Sequence, residues 1–362
     1  RNNSGDGLLV DLSIGVIKEL DSMQDEVVEV VALDSRSFSD LEIVHEPPIA
    51  SANTLLARCS VSITTVIKLL IFRNPNLGIF NLKEKTPIFA VGGGYQRNKN
   101  LIESIKFTLA HLPQLKMASN HTGPVVYLPQ SIGPLKGVVG WYTRKLLKKV
   151  GVIFVRDTRS YELLKKDGCN VLQVPDLAVQ EVFNKQKIAN KVIKSRKVYL
   201  IARDVDSINR KEYIRRLKVL IDKVPGIEPI VQSSGRGNND SDFYMSLGLE
   251  GPYRSVREAL EDEPGVVVSV RLHGAIESII AGCPTIHLSY ERKGFSAYED
   301  LNVKDYVHNF RSFIPDRVAS QVDDLINDAS KYWAALEKSA TEVKDKRLFM
   351  LKTINNYLKG EF

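Results

Sequence analysis

The chain has 362 residues, of which 43% are hydrophobic and 26% are charged. This length exceeds what one hydrophobic core normally serves, so we expect two globular domains. No apolar run approaches the roughly 18 residues that a membrane-spanning helix needs, and the three widely spaced cysteines form neither a disulfide framework nor a zinc site. These features predict a cytoplasmic protein.

The formal net charge is +7. Such a charge favours anionic partners, for example phosphorylated small molecules or anionic lipid. Aromatic residues are not interleaved with the basic ones, and the sequence contains no recognisable nucleic-acid-binding module. We therefore do not expect nucleic acid as a partner.

Short apolar runs recur along the chain, each followed by a helical pattern, which is typical of parallel βαβ units. In the first half, strands are predicted in TPIFAVG, VVYLPQ, VIFVRD and VLQVP. In the second half, they are predicted in KVYLIAR, EPIVQSS, GVVVSVR and TIHLSY. The pattern predicts an α/β protein with parallel βαβ units in both halves.

A basic stretch separates the two halves, with six lysines and arginines and no acidic residue from Lys185 to Lys197. We interpret it as a linker over 184–196, between an N-terminal domain of 1–183 and a C-terminal domain of 197–335. The polar, periodic segment that follows predicts a helix over 336–362, which could pack back on the first domain.

Both halves contain the same succession of a strand, Val-Arg, one helix, Gly-Cys and a second strand. Arg156 and Arg271 occupy the equivalent position, at the end of an apolar strand. The carboxyl ends of parallel strands face the ligand crevice, so both arginines would point into a cleft if the two sheets face each other. Arg156 could instead pair with a carboxylate such as Asp157, the predicted N-cap of the next helix.

The segment Arg271-Leu272-His273-Gly274 stands where a strand ends and a helix begins. Arg271 could clamp a carboxylate or phosphate, and His273 could transfer protons near neutral pH. Leu272 would point into the core, and Gly274 would let a ligand approach the backbone. A structural alternative is an arginine that caps a carbonyl beside a buried histidine. Glu277, one helical turn after His273, could orient the imidazole or be an ordinary surface residue. Because Arg271 and His273 occur together at such a junction, we favour the interpretation that they belong to a functional site.

Three other segments have a functional and a structural interpretation that the sequence leaves open. Gly92-Gly93-Gly94 could admit a ligand to the backbone or form a tight turn. Gln130 and Ser131 could bind sugar hydroxyls or close a turn. Lys293 could reach an anion bound at Arg271 or be a solvated surface lysine.

The segment from Trp141 to Lys149 is basic, amphipathic and begins with an aromatic residue. This composition suits a membrane interface, and the positive net charge would assist binding there. A basic amphipathic helix docked on a sheet explains the same pattern, and we favour that interpretation. Peripheral contact with the inner face of a membrane stays open.

Taken together, these segments resemble the polysaccharide pyruvyltransferase family. The strongest match is SVRLHGAIESIIAGCPTIHLSYERK over 269–293, which follows that family's R-x-H, G-x-P and Y-x-x-K pattern. The first half adds N-x-G-D at 3–6, the glycine triplet, QSIGP at 130–134, VRD with Ser160, and the PDLA turn at 175–178. The family has a strand directly before N-x-G-D, so we expect residues upstream of Arg1 to be missing from this sequence.

The resemblance implies a glycosyltransferase-B-like fold, with two Rossmann-like domains facing across a cleft. It implies transfer of the enolpyruvyl group of phosphoenolpyruvate to a sugar of a polysaccharide or of its lipid-linked precursor, forming a pyruvate ketal and releasing phosphate. His273 would be the acid/base catalyst. The donor-binding residues would be Arg271, Leu272, Gly274, Arg156 and Lys293. The acceptor site or cleft lining would be formed by Gly93, Gly94, Gln130, Ser131 and Asp176.

No metal or other cofactor is expected, because the scheme requires none and the sequence contains no cluster of metal ligands. Two other functions stay open. One is a nucleotide-sugar-dependent glycosyltransferase of the same two-domain fold, although the sequence has no evident acidic ribose clamp. The other is a non-catalytic, two-lobed anion-binding protein.

Overall fold

The computed structural model describes residues 4–32, 35–46, 60–61, 64, 85–94, 96–184, 195–205, 208–234 and 239–361. The chain divides into two compact units. Unit A comprises Leu9–Leu177 and Lys346–Phe362, and unit B comprises Arg1–Leu8 and Ala178–Asp345. Residues 185–194 of the predicted linker and Asn3 of the N-x-G-D motif lie outside the described residues.

The part of the chain that the structure describes contains thirteen strands and thirteen α-helices. The strands are β1 (Val30–Val31), β2 (Val44–His45), β3 (Ile88–Ala90), β4 (Gln96–Asn98), β5 (Val125–Gln130), β6 (Ile132–Leu135), β7 (Val152–Val155), β8 (Val171–Gln173), β9 (Val198–Ile201), β10 (Glu228–Pro229), β11 (Val266–Ser269), β12 (Thr285–Ser289) and β13 (Val307–Asn309). The helices are α1 (Ser4–Lys18), α2 (Leu101–Ala110), α3 (Leu112–Ser119), α4 (Gly137–Leu147), α5 (Thr158–Lys166), α6 (Leu177–Asn184), α7 (Arg210–Lys223), α8 (Asp240–Leu247), α9 (Val256–Asp262), α10 (Leu272–Ile280), α11 (Arg292–Asp300), α12 (Pro315–Asn327) and α13 (Ser330–Lys359).

Unit A is built on a four-stranded parallel sheet in the order β3-β5-β7-β8. Residues of β5 alternate between two hydrophobic cores. Val125 and Tyr127 face a core that includes residues of α2, α3, α4 and α5. Val126 and Leu128 face a second core, which includes residues of α1 and α13. Both faces of the sheet are covered, and this explains why β5 is an unbroken buried run.

A two-stranded parallel pair, β4 and β6, also belongs to unit A. Gln96 lies opposite Ile132, and Asn98 lies opposite Leu135. β6 begins immediately beyond the end of β5, so this pair continues from the carboxyl edge of the main sheet. The helix α2 follows β4, and α4 follows β6. The two helices therefore start side by side.

The end of α13 completes unit A. Met350 and Ile354 are fully buried in the second core. The Tyr357 hydroxyl accepts a hydrogen bond from the backbone N–H of Val125 at 3.3 Å. A Cβ at Gly151 would collide with the ring of Tyr357, so only glycine allows this close packing.

Unit B contains a five-stranded parallel sheet in the order β10-β9-β11-β12-β13. On one face, Tyr199, Ile201 and Val267 pack with residues of α9. The helix α12 contacts β11 and β12 and packs along α7. All eight predicted strands are present, four in each main sheet. The strand β13 was not predicted, because Val307–Asn309 is short, partly exposed and lacks an apolar run.

Candidate functional site

The carboxyl ends of all strands of the unit B sheet meet at one edge, because the strands are parallel. Polar and charged side chains follow four neighbouring strands at this edge. Going across the sheet, they are Gln232 after β10, Arg203 after β9, Arg271 and His273 after β11, and Lys293 after β12. This is the edge at which open α/β sheets bind their ligands.

Arg271 forms a buried ion pair with Asp240, the first residue of α8. Its Nε lies 3.1 Å from each carboxylate oxygen, and its Nη2 donates to Oδ1. The carboxylate also accepts from the backbone N–H groups of Gln232 and Ser233, at 3.1 and 2.9 Å. Burial raises the pKa of Asp240, and Arg271 and the two N–H groups oppose that rise. The pair holds the guanidinium in a fixed position.

The helix α10 begins directly after Arg271, whose own side chain does not cap the first turn. The Ser269 hydroxyl shapes this junction, since it donates to the carbonyl of Arg271 at 2.7 Å and accepts from its N–H at 3.2 Å. Leu272 is buried, as predicted, whereas His273 is partly exposed in the first turn. A helix start beside a fixed positive charge favours the binding of an anion.

Gly274 makes room for a side chain of the protein itself. A Cβ at this position would lie 2.5 Å from Oε1 of Gln232, a residue whose side chain is buried. Within the described part of the chain, that oxygen has no hydrogen-bond partner. An unsatisfied buried acceptor is costly, so it indicates a place where a ligand or water donates a hydrogen bond. Close approach of a ligand to the backbone of Gly274 stays a prediction.

Arg203 and Tyr290 meet across the carboxyl end of β11. They follow β9 and β12, the two strands that flank β11. The Nη1 of Arg203 donates to the Tyr290 hydroxyl at 3.3 Å, and the guanidinium lies 5.5 Å from the ring centroid. Sequence reasoning missed Arg203, although its signal is the one that selects Arg271: an arginine directly after an apolar strand.

Lys293 lies in the first turn of α11, next to the end of β12. Its Nζ is 2.9 Å from Oε2 of Glu291, and both side chains are partly exposed. A Cβ at Gly294 would collide with the side chains of Ser289 and His287, so α11 packs tightly on β12 at this point. Lys293 is therefore a cation on a firmly placed backbone, at the same sheet edge as Arg271.

At the carboxyl edge of the unit A sheet, Arg156 brings together four residues that the sequence analysis selected separately. Its Nε donates to the Ser131 hydroxyl at 2.9 Å, its Nη1 forms a buried ion pair with Asp176, and its Nη2 donates to the carbonyl of Gly93 at 3.3 Å. Its backbone N–H donates to the carbonyl of Gln130 at 3.2 Å. Arg156 thus organises the predicted acceptor side.

The glycine triplet at this edge has both structural and open positions. A Cβ at Gly92 would collide with the carbonyl of Pro129, so glycine is needed for β3 and β5 to approach each other. Nothing lies within 4 Å of a Cβ built at Gly94.

Asp157 is the N-cap of α5, accepting from the backbone N–H of Ser160 at 2.9 Å, as predicted.

Each unit therefore has a buried Arg–Asp pair at the carboxyl edge of its sheet: Arg156 with Asp176, and Arg271 with Asp240. Asp240 was not predicted, because it lies 31 residues from Arg271 in sequence and carries no strand-end signal. Asp176 entered the predicted site only through the family resemblance. The partner of each arginine follows from the sheet order, which brings distant loops together.

Two features are absent from the described residues. These residues contain no group of three or more histidine, cysteine, aspartate or glutamate side chains that could hold a metal ion. They also contain no helix that is both long enough and apolar enough to cross a membrane.

The class of protein follows from the fold. A solved structure described as a UDP-N-acetylglucosamine 2-epimerase from Listeria monocytogenes matches this chain with a TM-score of 0.50 and 9% sequence identity, over 95% of this chain and 92% of that chain. At this identity, the similarity shows the fold alone. The chain has a glycosyltransferase-B-like α/β fold with two Rossmann-like parallel sheets.

Within that class, the sequence defines the family. The family described as polysaccharide pyruvyl transferase matches residues 3–292, which is most of the chain. This protein belongs to the polysaccharide pyruvyl transferase family and is a transferase of polysaccharide biosynthesis. No curated protein sequence matches it.

Proposed function

We propose that the protein transfers the enolpyruvyl group of phosphoenolpyruvate to a glycan, free or lipid-linked, and closes it into a pyruvate ketal in the cytoplasm. The observation that carries the proposal is the carboxyl edge of unit B, where Arg203, Arg271 and Lys293 lie at the strand ends with His273. Phosphoenolpyruvate carries a carboxylate and a phosphate on one small carbon skeleton. Its binding therefore calls for several cations close together.

The proposed reaction balances without a metal or redox cofactor. Protonation of the methylene carbon makes the central carbon electrophilic, and one sugar hydroxyl adds to it. The bond between this carbon and the phosphate oxygen then breaks, and a second hydroxyl adds to complete the ketal. Of the two hydroxyl protons, one balances the proton taken up by the methylene carbon and the other leaves with phosphate. His273 is the proposed group that delivers and removes these protons.

The basic residues have different proposed tasks because their environments differ. Arg271 is buried against Asp240, so it supplies a fixed charge beside the start of α10. Arg203 and Lys293 are partly exposed and are the proposed direct contacts of the donor. Leu272 and Gly274 shape the same turn. Arg156 is assigned to the donor by the family resemblance.

The proposed acceptor residues are those that gather at the sheet edge of unit A, namely Gly93, Gly94, Gln130, Ser131 and Asp176. Hydroxyl, amide and backbone groups of this kind bind sugar hydroxyls. Gly94 contributes open space beside its backbone. Screening of glycan acceptors would identify the sugar and the two hydroxyls that are bridged.

The first test is thermal stabilisation by phosphoenolpyruvate, compared with a panel of nucleotide sugars. A ligand at about 100 times its Kd stabilises a protein by about 2.7 kcal/mol. We expect phosphoenolpyruvate to raise the Tm, and Arg203→Met or Lys293→Met to reduce that shift, because each removes a cation without breaking a buried ion pair. Lys338→Met, an exposed lysine of α13, is the matched control.

His273→Ala should retain this thermal shift but lower turnover by a factor of about 10²–10⁴, because the imidazole moves protons rather than binding charge. Phosphate release with a panel of glycan acceptors measures turnover. A thermal shift with a nucleotide sugar and none with phosphoenolpyruvate would overturn the proposal in favour of a glycosyltransferase. Near-normal turnover of His273→Ala would show that another residue is the catalyst.

A further inference from the structure

Five large apolar side chains lie exposed on two helices of unit A. Leu101, Ile102 and Ile105 of α2 are 76%, 66% and 52% exposed. Val138 and Trp141 of α4 are 80% and 49% exposed. A helix that packs on a sheet normally turns such residues inward, and α2 and α4 bury other residues, including Phe107 and Leu146, in the core. These five residues face away from it.

The two helices that carry the five side chains start next to each other, and these five side chains are together called the apolar patch. The helices α2 and α4 each begin within three residues of the paired strands β4 and β6, in which Asn98 lies opposite Leu135. Neighbouring strands are about 4.8 Å apart, so the two helix starts are neighbours. A hydrogen bond of 2.7 Å from the backbone N–H of Lys136 to Oδ1 of Asn98 ties them together.

The apolar patch is framed by positive charge. The segments 96–119 and 132–149, which carry it, contain nine lysines and arginines, of which Lys116 is buried and Arg144 pairs with Asp167, and one acidic residue, Glu103. Glu103 is 3.6 Å from Arg97. On α4, Lys145 extends over the Trp141 ring, with its Nζ 3.9 Å from the ring centroid. Lysine and tryptophan around exposed aliphatic side chains are typical of surfaces that insert shallowly into anionic bilayers.

We propose that the apolar patch of unit A binds the surface of an anionic lipid bilayer. Charge selects this occupant over a second copy of the chain. In a twofold dimer through the patch, one basic surface would face its own copy, and like charges would repel. In an anionic bilayer, the five side chains can instead contact the apolar acyl chains, and the lysines around them can contact the negative headgroups.

The position of the apolar patch relates it to the proposed acceptor side, and this step rests on the proposed function. The strand β6 starts directly after Ser131, which contacts Arg156 and donates from its backbone N–H to the carbonyl of Gly93 at 2.9 Å. The chain from Ser131 to Lys136 spans at most roughly 17 Å. A bound bilayer would thus lie close to these residues, as a lipid-linked acceptor requires.

The test is co-sedimentation of the 362-residue chain with vesicles. One set consists of phosphatidylcholine alone and the other contains phosphatidylglycerol. We expect binding to the anionic vesicles, and at least about tenfold weaker binding for the double variant Leu101→Glu/Ile102→Glu. Lys145→Gln and Lys148→Gln should each weaken binding about fivefold. Raising the salt from about 0.05 M to about 0.5 M should also weaken binding, because salt screens the attraction between the lysines and the headgroups.

The matched control is Leu348→Glu/Phe349→Glu, which introduces the same charges at two adjacent exposed apolar residues of α13. This variant should bind anionic vesicles as the wild type does. No binding by the wild type, or equal binding by the α2 double variant, would overturn the proposal. The proposal would also be overturned if the wild type and the α13 control formed a concentration-dependent dimer and the α2 double variant did not. Vesicle binding requires no turnover, so this result is independent of whether phosphoenolpyruvate is the donor.

Discussion

At the scale of single residues, the two sheet edges use arginine in the same way. Arg156 and Arg271 each direct a guanidinium to a buried aspartate, and the side chains of both pairs are less than one-tenth exposed. Removing one member of a buried pair leaves the other charge without compensation, and this costs far more than losing a surface pair. These arginines therefore support the structure of the edge as well as any ligand.

This double role leads to a prediction for Arg271. Arg271→Met should lower the free energy of unfolding by about 3–5 kcal/mol, because Asp240 stays buried without its counter-charge. Arg271→Met/Asp240→Asn should recover a large part of the loss, since the asparagine oxygen can still accept from the backbone N–H groups of Gln232 and Ser233. Urea unfolding of the two variants measures the coupling.

The control for this cycle is the exposed pair of Arg257 and Glu261 on α9, whose side chains are 80% and 65% exposed. Arg257→Met should cost less than about 0.5 kcal/mol, because water solvates both partners when they separate. Equal losses for Arg257→Met and Arg271→Met would show that burial of the Arg271–Asp240 pair is not what makes it important.

At the scale of secondary-structure elements, β12 contains a histidine that has no role in the proposed chemistry. His287 is fully buried, and its Nδ1 lies 2.8 Å from the carbonyl of Ser269 on β11. Burial lowers the pKa of His287 to about 4; the hydrogen bond to Ser269 opposes this shift, and the charge of Lys293 adds to it. The residue belongs to the packing between two central strands and the start of α11.

The lowered pKa predicts acid sensitivity. Histidine in an unfolded chain has a pKa of about 6.5, so between about pH 6.5 and pH 4 the unfolded state binds a proton that the folded state does not. The contribution of neutral His287 to the free energy of unfolding is thus fully present above about pH 6.5. It falls by up to about 3 kcal/mol as the pH approaches 4.

Comparison with His287→Gln isolates this effect, because glutamine can still donate a hydrogen bond to Ser269 but does not titrate. The free energy of unfolding of the wild type minus that of the variant should decrease between about pH 7 and about pH 4.5. Other titrating groups contribute equally to both proteins and cancel. A difference that does not change with pH would contradict the lowered pKa.

Elements were predictable where their pattern is local. The strands β5, β7, β9 and β11 are short apolar runs because both faces of their sheets are covered, and such runs are visible in the sequence. The strand β4 has the sequence Gln-Arg-Asn, and only its pairing with β6 makes it a strand. A polar segment of three residues carries no periodic signal, so it could not be predicted.

At the scale of the whole molecule, the chain leaves unit A after Leu177 and re-enters it at Lys346. The returning residues are structural, since Met350 and Ile354 are fully buried against β5 and β7. Arg347 pairs with Glu19, and the Asn355 side chain accepts from the backbone N–H of Asp21 at 3.2 Å. Unit A thus depends on residues that are far in sequence from the rest of the unit.

Deletion of 346–362 should therefore destabilise unit A selectively. Loss of the two buried side chains alone costs at least about 4 kcal/mol. Hydrogen exchange should lose protection in 125–130 and 152–155 of unit A, whereas 198–201 and 266–269 of unit B should stay protected. The undeleted chain with Leu348→Glu/Phe349→Glu, which changes exposed residues of the same segment, should retain protection in both units. Unchanged exchange in unit A after the deletion would contradict this dependence.

The sequence by itself determined the α/β class, the eight central strands and the residues at the strand ends, including Arg156, Arg271 and His273. Each of these has a local cause, either an apolar run or a charge directly after one. Only the tertiary structure decided that Arg156 joins Ser131, Gly93 and Asp176, and that Arg271 pairs with Asp240. The same holds for the apolar patch on α2 and α4. These features depend on sheet order and on the packing of distant segments, and the sheet edge exists only once the strands have assembled side by side.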